Sequence, residues 1–531
     1  MPVSAPPFLA EHFTIQREVV TGRHGIVATQ HQMASEIGVQ VLEAGGNAVD
    51  GAVAAALVLG VVEPWMSGIG GGGFMLVADA ATGRVHEVDY GMVAPKAVDP
   101  SHYPIIEGDS GHDALFSWPR VMDDRNQIGP FSVAVPGAVA GLALAAERFG
   151  SMPWAELVGP AANLATRGLP VTWSTTLEIA AGADTLRLFE SSANVYLPNG
   201  LPPVAPDAHR PIWLAMGGLS ATLNRLADAG ARDFYEGDIA AAIIHDMQAA
   251  GGVMSAADLA TYQAEVRAVT GVPHRGALIH ASSGLNGGPT FQRAMQHAAE
   301  QLDPRDGLTA PTYLAWAEAL AEAYEHRLDK LGHSGDMVSR DACTTHLSVV
   351  DRHGNMVSLT STVLERFGSR LVLPETGMLM NNGMFWFDPR QGRPNSLQAG
   401  RRPLANMSPV VATKDGKPWF ALGAAGGRRI VPAVFQLTSL LADFGLSLDQ
   451  AFQTPRLDVS GENSILADHR LDPTILAALG ERFDVTQTYD SVGMEEFAKP
   501  QAVMQEGEQQ YGAVALALPM ARAIAAEPII A

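Results

Sequence analysis

The chain has 531 residues, 47% hydrophobic and 17% charged, with 54 glycines and 34 prolines spread along its length, a composition of globular enzymes rather than of disordered or collagenous chains. Asp and Glu outnumber Lys and Arg 56 to 35, for a formal net charge of −21 with no basic cluster, so neither nucleic acid nor an anionic membrane is expected as a partner. The single cysteine, Cys343, excludes an intramolecular disulfide and agrees with a reducing compartment.

The N-terminal "MPVSAPPFLAEHFTIQREVV" has neither the basic nor the apolar stretch of a secretory leader, which makes the cytoplasm the expected location. Next, "QHQMASEIGVQVLEAGGN" places Met33, Ile37, Val41 and Leu42 at helical spacing and stops at Gly45-Gly46. "GAVAAALVLGVV" is apolar on nearly all sides and reads as a helix buried between layers, too short to span a bilayer. Two strands flank the Thr82-Gly83 turn in "FMLVADAATGRVHEVDYG", and Pro136 to Gly150 reads as another buried helix. From about 150 to 335 the pattern is mostly helical, with a capping box at Ser255 and Asp258 and a long amphipathic helix from Tyr313 to Gly332. After Asp341 the texture turns to strands: "TTHLSVVD", "NMVSLTSTV", "GMLMNNGMF" and "SPVVATKDGKPWFALGAA".

Few local motifs carry chemistry. Gly68 to Gly73 formally satisfies a dinucleotide fingerprint, but that site needs a strand before the glycines and a helix after them. Here Pro64 precedes and "FMLV" follows, so a close backbone approach is the expected use of these glycines. No phosphate loop, serine elbow or metal-ligand spacing is present, and no cofactor or metal is expected. By itself the Thr344-Thr345 pair reads as β-branched sheet residues, and Cys343 as a small buried hydrophobe.

Seven ordered blocks change that reading of the threonines. They are "EAGGNAVDGAVAAALVLGVVEPWMSGIGGGGFML", "VPGAVAGLALAAERFGSMPW", "DFYEGDIA", "GGVMSAADLATY", "TTHLSVVDRHGNMVSLTST", "RRPLANMSPVVATKDGKPW" and "GAAGGRRIV". Through them the chain resembles the gamma-glutamyltranspeptidase family of N-terminal nucleophile hydrolases. The resemblance implies an α+β fold, a four-layer αββα sandwich. It also implies self-cleavage between Cys343 and Thr344, giving a helix-rich large chain (1–343) and a sheet-rich small chain (344–531). Thr344 would then supply its hydroxyl as nucleophile and its freed α-amine, with a pKa of about 7.7–8, as base. Thr362 matches the threonine that orients the nucleophile. Gly426 and Gly427 match the pair whose N–H groups form the oxyanion hole. The partners implied are a small-molecule amide and the two chains of one precursor, with a homodimer of such pairs as a further expectation.

The substrate-reading residues depart from the family pattern. Gly91 in "DYGMVAP" stands where the family has the arginine that holds the glutamyl carboxylate. Trp386 in "NNGMFWF" replaces the acid that binds the α-amine, and Gly383 replaces a polar residue. Ala405 and Asn406 replace paired serines, and Leu364 an asparagine. Each lost charge-assisted contact is worth roughly 1.5–3 kcal/mol, so glutamyl recognition should fall by about two to four orders of magnitude. The expected substrate is therefore smaller or less polar. Oxamate, split to oxalate and ammonia, is the first expectation, with Arg366 and Arg428 as candidate carboxylate binders beside Trp386 and Asn406. The alternatives are a glutathione-type γ-glutamyl hydrolase or transferase, a glutaryl- or cephalosporin-type acylase, and an unprocessed, inactive relative acting as a scaffold.

Overall fold

A computed structural model describes residues 15–106, 118–207, 212–331, 342–460, 464–488, 492 and 496–528. Its strands before residue 344 are β1 (Val20–Gly22), β2 (Gly25–Thr29), β3 (Gly72–Ala78), β4 (Val85–Tyr90), β5 (Leu169–Val171), β6 (Ile212–Leu214), β7 (Glu265–Val269), β8 (Val272–His274) and β9 (Ala277–Ala281). There follow β10 (Ala342–Asp351), β11 (Met356–Glu365), β12 (Val410–Lys414), β13 (Lys417–Ala425), β14 (Leu457–Asp458), β15 (Ser464–Asp468), β16 (Asp484–Thr488), β17 (Lys499–Glu506), β18 (Gln509–Val514) and β19 (Arg522–Ala525).

Two seven-stranded sheets dominate, ordered β1-β18-β17-β13-β12-β9-β8 and β19-β2-β10-β11-β3-β4-β7. They stack through a thin apolar layer that includes Ile26, Leu76, Val350, Val411 and Val503. The outer face of the β10 sheet is covered by helices Gln32–Glu43, Ala48–Val62 and Ala138–Phe149, and that of the β13 sheet by Gly288–Gln301, Ala310–His326 and Ile430–Ala442. This is the expected αββα sandwich. Each sheet contains strands from both sides of residue 344, so the two parts of the chain share one fold.

The helix Ala48–Val62 shows why local sequence and layer agree. Asn47 caps it with Asp50 in a capping box, which satisfies N-terminal amides. Its apolar circumference then packs between the sheet and further helices. Among the described residues no helix is long and apolar enough to cross a membrane.

Two expectations are corrected. The segment read as mostly helical also holds β7, β8 and β9, which extend the edges of both central sheets; their three- to five-residue alternations are too short to stand out between long helices. "GMLMNNGMF" is a buried loop ending in a 3₁₀ turn, Gly383–Trp386, rather than a strand. Asn381 holds it: Nδ2 donates to Gly70 O (2.7 Å) and Ala134 O (2.9 Å), and Oδ1 accepts from Ala134 N (3.0 Å) and Gly383 N (2.8 Å). The amide side chain ties this loop to the segments at Gly70 and Ala134. The expected helix end at Gly332 lies outside the described residues; the helix proper is Ala310–His326, followed by a wide turn, Arg327–Leu331.

The glycine run is a backbone contact, as expected. A Cβ on Gly71 would lie 2.2 Å from Thr362 O, and one on Gly73 2.3 Å from Thr360 O. Gly71→Ala should therefore push β11 at Thr362 and destabilise the protein by about 1–3 kcal/mol. Thermal unfolding checks this; an unchanged midpoint would contradict it.

Candidate active site

Alternation along β10 and β11 sorts their side chains. Leu347, Val349, Val357 and Leu359 face the helices, whereas Val350 and Met356 face the other sheet. The same inter-sheet face carries a polar row. Ser348 Oγ donates to Gln501 O (3.3 Å), Ser358 Oγ donates to Leu422 O (2.9 Å), and His346 bonds through Nδ1 to Thr360 Oγ1 (2.9 Å) and through Nε2 to Ser348 Oγ (3.0 Å). Two residues further along this row stand Thr344 and Thr362, whose hydroxyls meet at 3.2 Å. Both side chains are buried. By the same alternation Thr345 turns to the opposite face, so only the first threonine of the pair reaches Thr362.

A β-bulge sets this meeting. Cys343 pairs with Leu364 and Thr345 with Ser361, so Thr344 alone opposes Thr362 and Val363. Bulges re-aim side chains in this way. Thr362 Oγ1 also accepts from Leu364 N (2.8 Å), and Leu364 takes φ 85°, a left-handed conformation that costs a non-glycine residue about 1–3 kcal/mol. Glu365, next in sequence, receives Asn382 Nδ2 (2.8 Å), Gln127 Nε2 (2.9 Å) and Arg370 Nη1 (3.0 Å), which holds the strained turn in place.

His346 is not the base for this threonine. Burial lowers its pKa to about 3, and its ring lies against Gly423, where a Cβ would sit 2.3 Å from Cε1. The imidazole is a neutral wedge between the sheets. Since its folded pKa is below the ordinary 6.5, the unfolded chain binds the extra proton. His31, lowered by burial to about 4, acts in the same sense. Stability should be complete above about pH 6.5 and decline as pH falls toward 4. Melting curves between pH 7 and 4.5 test this, and a constant midpoint would rule it out.

At the end of β13 the chain turns through Gly426 (φ 131°) and Gly427 (φ 58°) into the helix Ile430–Ala442. This turn packs against β10, and a Cβ on Gly426 would lie 2.9 Å from Ala498 Cα. Glycine is required on both counts. N–H groups at the entry to a helix suit a developing oxyanion. Arg428 is buried; its Nη2 donates to Ser460 O, and its carbonyl accepts from Tyr324 Oη. Arg366 Nε donates to Glu178 Oε2 at 2.7 Å.

The departures from the glutamate-reading pattern converge. Leu364, Trp386 and Ala405 belong to one buried apolar cluster with Phe74, Met92 and Met407. The Trp386 turn hangs from the bulge through Asn382 N donating to Val363 O (3.1 Å). Asn406 is buried directly after Ala405. At Gly91, a Cβ would lie 3.2 Å from Arg402 Nη1; Arg402 lies there because it pairs with Asp89 and donates to Gly91 O (3.3 Å). The sequence shows Gly91 and Arg402 but not that they touch.

Two stacked sheets between helical layers, with two threonine hydroxyls meeting on inner strands and a glycine turn packed against β10, are the arrangement of an N-terminal nucleophile hydrolase. A family model described as Gamma-glutamyltranspeptidase matches residues 34–340 and 334–517. The Acylase ACY 1 proenzyme of Pseudomonas sp. (strain SE83) is 33% identical over 484 residues, covering 85% of each chain. The Glutathione hydrolase proenzyme of Escherichia coli (strain K12) is 30% identical over 506 residues, covering 85% of this chain and 84% of its own. The solved cephalosporin acylase from Bacillus halodurans shares the fold, with a TM-score of 0.83 over 99% of both chains at 24% identity. The chain belongs to the gamma-glutamyltranspeptidase family, as an enzyme made in proenzyme form.

Proposed function

We propose that the protein cleaves itself between Cys343 and Thr344 and then hydrolyses an amide whose acyl group is less polar than γ-glutamyl, in the manner of an acylase. In processing, Thr344 Oγ attacks the Cys343 carbonyl, the C–N bond breaks, and water opens the resulting ester. The new α-amine then serves as base for the same hydroxyl. In turnover Thr344 Oγ attacks the substrate carbonyl and gives up its proton to the α-amine, which returns it to the departing amine. Water hydrolyses the acyl-threonine. Thr362 orients the hydroxyl at 3.2 Å, and Gly426 and Gly427 N–H stabilise the oxyanion.

The observation that carries the acyl preference is the apolar cluster of Leu364, Trp386, Ala405 and Met92 where the family reads glutamate. It favours an acylase over oxamate hydrolysis, because the two arginines that a small dianion would call on bond to Glu178 and to Ser460 O. The test offers processed enzyme hexanoyl and γ-glutamyl p-nitroanilides, and oxamate with ammonia as readout. The expected order is hexanoyl well above γ-glutamyl, with oxamate unreacted. Preferential ammonia release from oxamate would restore the small-diacid reading, and preferential γ-glutamyl turnover would show that glutamate is read by other residues.

A further inference from the structure

His245 and Asp246 sit on the helix Asp238–Ala249, before the bond proposed to be cut. Glu375 lies after it, in a tight loop where Gly377 N donates to Leu373 O (2.8 Å) and Leu373 N to Met378 O (2.8 Å). The fold brings the three together. Asp246 Oδ2 accepts from Glu375 N (2.9 Å), and Thr222 Oγ1 holds the same loop by donating to Thr376 O (2.8 Å). His245 Nδ1 then stands 2.8 Å from Glu375 Oε1 and 3.6 Å from Asp246 Oδ1. One nitrogen and two carboxylate oxygens, one atom from each residue, all lie within 4.8 Å of one another. The sequence shows no such grouping, because 129 positions separate Asp246 from Glu375.

A histidine–glutamate pair at the surface accounts for the 2.8 Å contact and contributes little by itself. It does not account for Asp246. That side chain is only 5% exposed, and among the described residues its Oδ1 has no donor within hydrogen-bond distance. Neither carboxylate pairs with a lysine or arginine among the described residues. Two adjacent carboxylates, one of them buried, repel each other and are relieved by a cation.

The donor set selects the ion. An imidazole nitrogen with two carboxylate oxygens suits zinc, which takes three such protein ligands at about 2.0–2.2 Å and a water as fourth, whereas calcium and magnesium favour oxygen alone. Ligand atoms around a tetrahedral ion of that size lie about 3.4 Å apart, close to the 3.6 Å between His245 Nδ1 and Asp246 Oδ1. Asp246 is the fixed member. His245 and Glu375, with side chains 69% and 51% exposed, are free to make the remaining adjustment.

We propose that His245, Asp246 and Glu375 form a zinc site that ties the large chain to the small one. The tie rests on cleavage between Cys343 and Thr344, whereas zinc binding does not.

In the experiment, purified protein is stripped with EDTA, dialysed and titrated with zinc chloride by calorimetry, beside His245→Ala and Glu375→Gln. Both variants change exposed side chains and should process and turn over as wild type does. Wild type should take up zinc at one site per chain pair, with a Kd at least about 10-fold tighter than in either variant. The urea concentration at which the processed chains separate on size exclusion should rise with zinc in wild type and stay unchanged in the variants. At free zinc about 100 times Kd, linkage shifts the assembly equilibrium about 100-fold. Equal zinc affinity in all three proteins would mean an adventitious ion only and would overturn the site. Zinc that binds through these residues yet leaves chain separation unmoved would overturn the tie. Should the purified protein prove uncleaved, zinc affinity lost in the variants supports the site while the cleavage reading fails.

Discussion

The Thr344→Ala variant is expected to run as one full-length band on a denaturing gel, where wild-type protein runs as two, and to have lost activity by about 10⁴-fold or more. The reason is that in the proposed mechanism one hydroxyl serves both reactions: it opens the Cys343–Thr344 bond, and it later carries the acyl group. Thr345 cannot replace it, because alternation along β10 turns Thr345 away from Thr362, and the bulge that opposes Thr362 and Val363 to a single residue is centred on Thr344. A processed Thr344→Ala protein would remove the proposed nucleophile from the account. Thr344→Ser, which keeps a hydroxyl, should process and turn over more slowly than wild type but measurably.

The second large effect is expected at Gly426. Its φ of 131° is open to glycine, and an added Cβ would meet Ala498 Cα at 2.9 Å. Gly426→Ala must therefore shift the turn proposed to supply the oxyanion's N–H donors. Loss of one such donor typically costs about 10²–10³ in kcat. Processing passes through a tetrahedral oxyanion as well, so it should slow alongside turnover. Time courses of band conversion and steady-state kinetics on the processed fraction report the two rates. Wild-type rates in both would show that this turn is not the oxyanion site.

Much of this was legible in the sequence because it rests on local chemistry. The capping box at Ser255, the apolar helix that ends at Val62 and the hairpin of β10 and β11 each follow from residues a few positions apart. The family blocks pointed to Thr344, Thr362 and the glycine pair, and the fold brings the two threonines together. What stayed hidden depends on residues distant in sequence. Arg402 reaches Asp89 and Gly91 across more than 300 positions, and Arg327 reaches Asn406 across 79. Neither contact has a periodic or composition signal. The loop at Asn381 reads as a strand for a related reason: its apolar residues are buried as in a strand, but its backbone N–H groups go to separate segments, Met380 N to Leu371 O, Asn381 N to Gly70 O and Asn382 N to Val363 O, rather than to one partner strand. Gly423 is an intermediate case, since the sequence shows a glycine in a strand and only the stacked sheet shows the His346 ring against it.

The central claim is that the Cys343–Thr344 bond is broken by the protein itself to create the catalytic terminus. Intact-mass measurement and N-terminal sequencing of purified wild-type protein test it most directly. The account predicts two fragments that stay together under native conditions, the smaller beginning with Thr344. A single uncleaved chain with full amidase activity, or a small fragment beginning at any other residue, would contradict it.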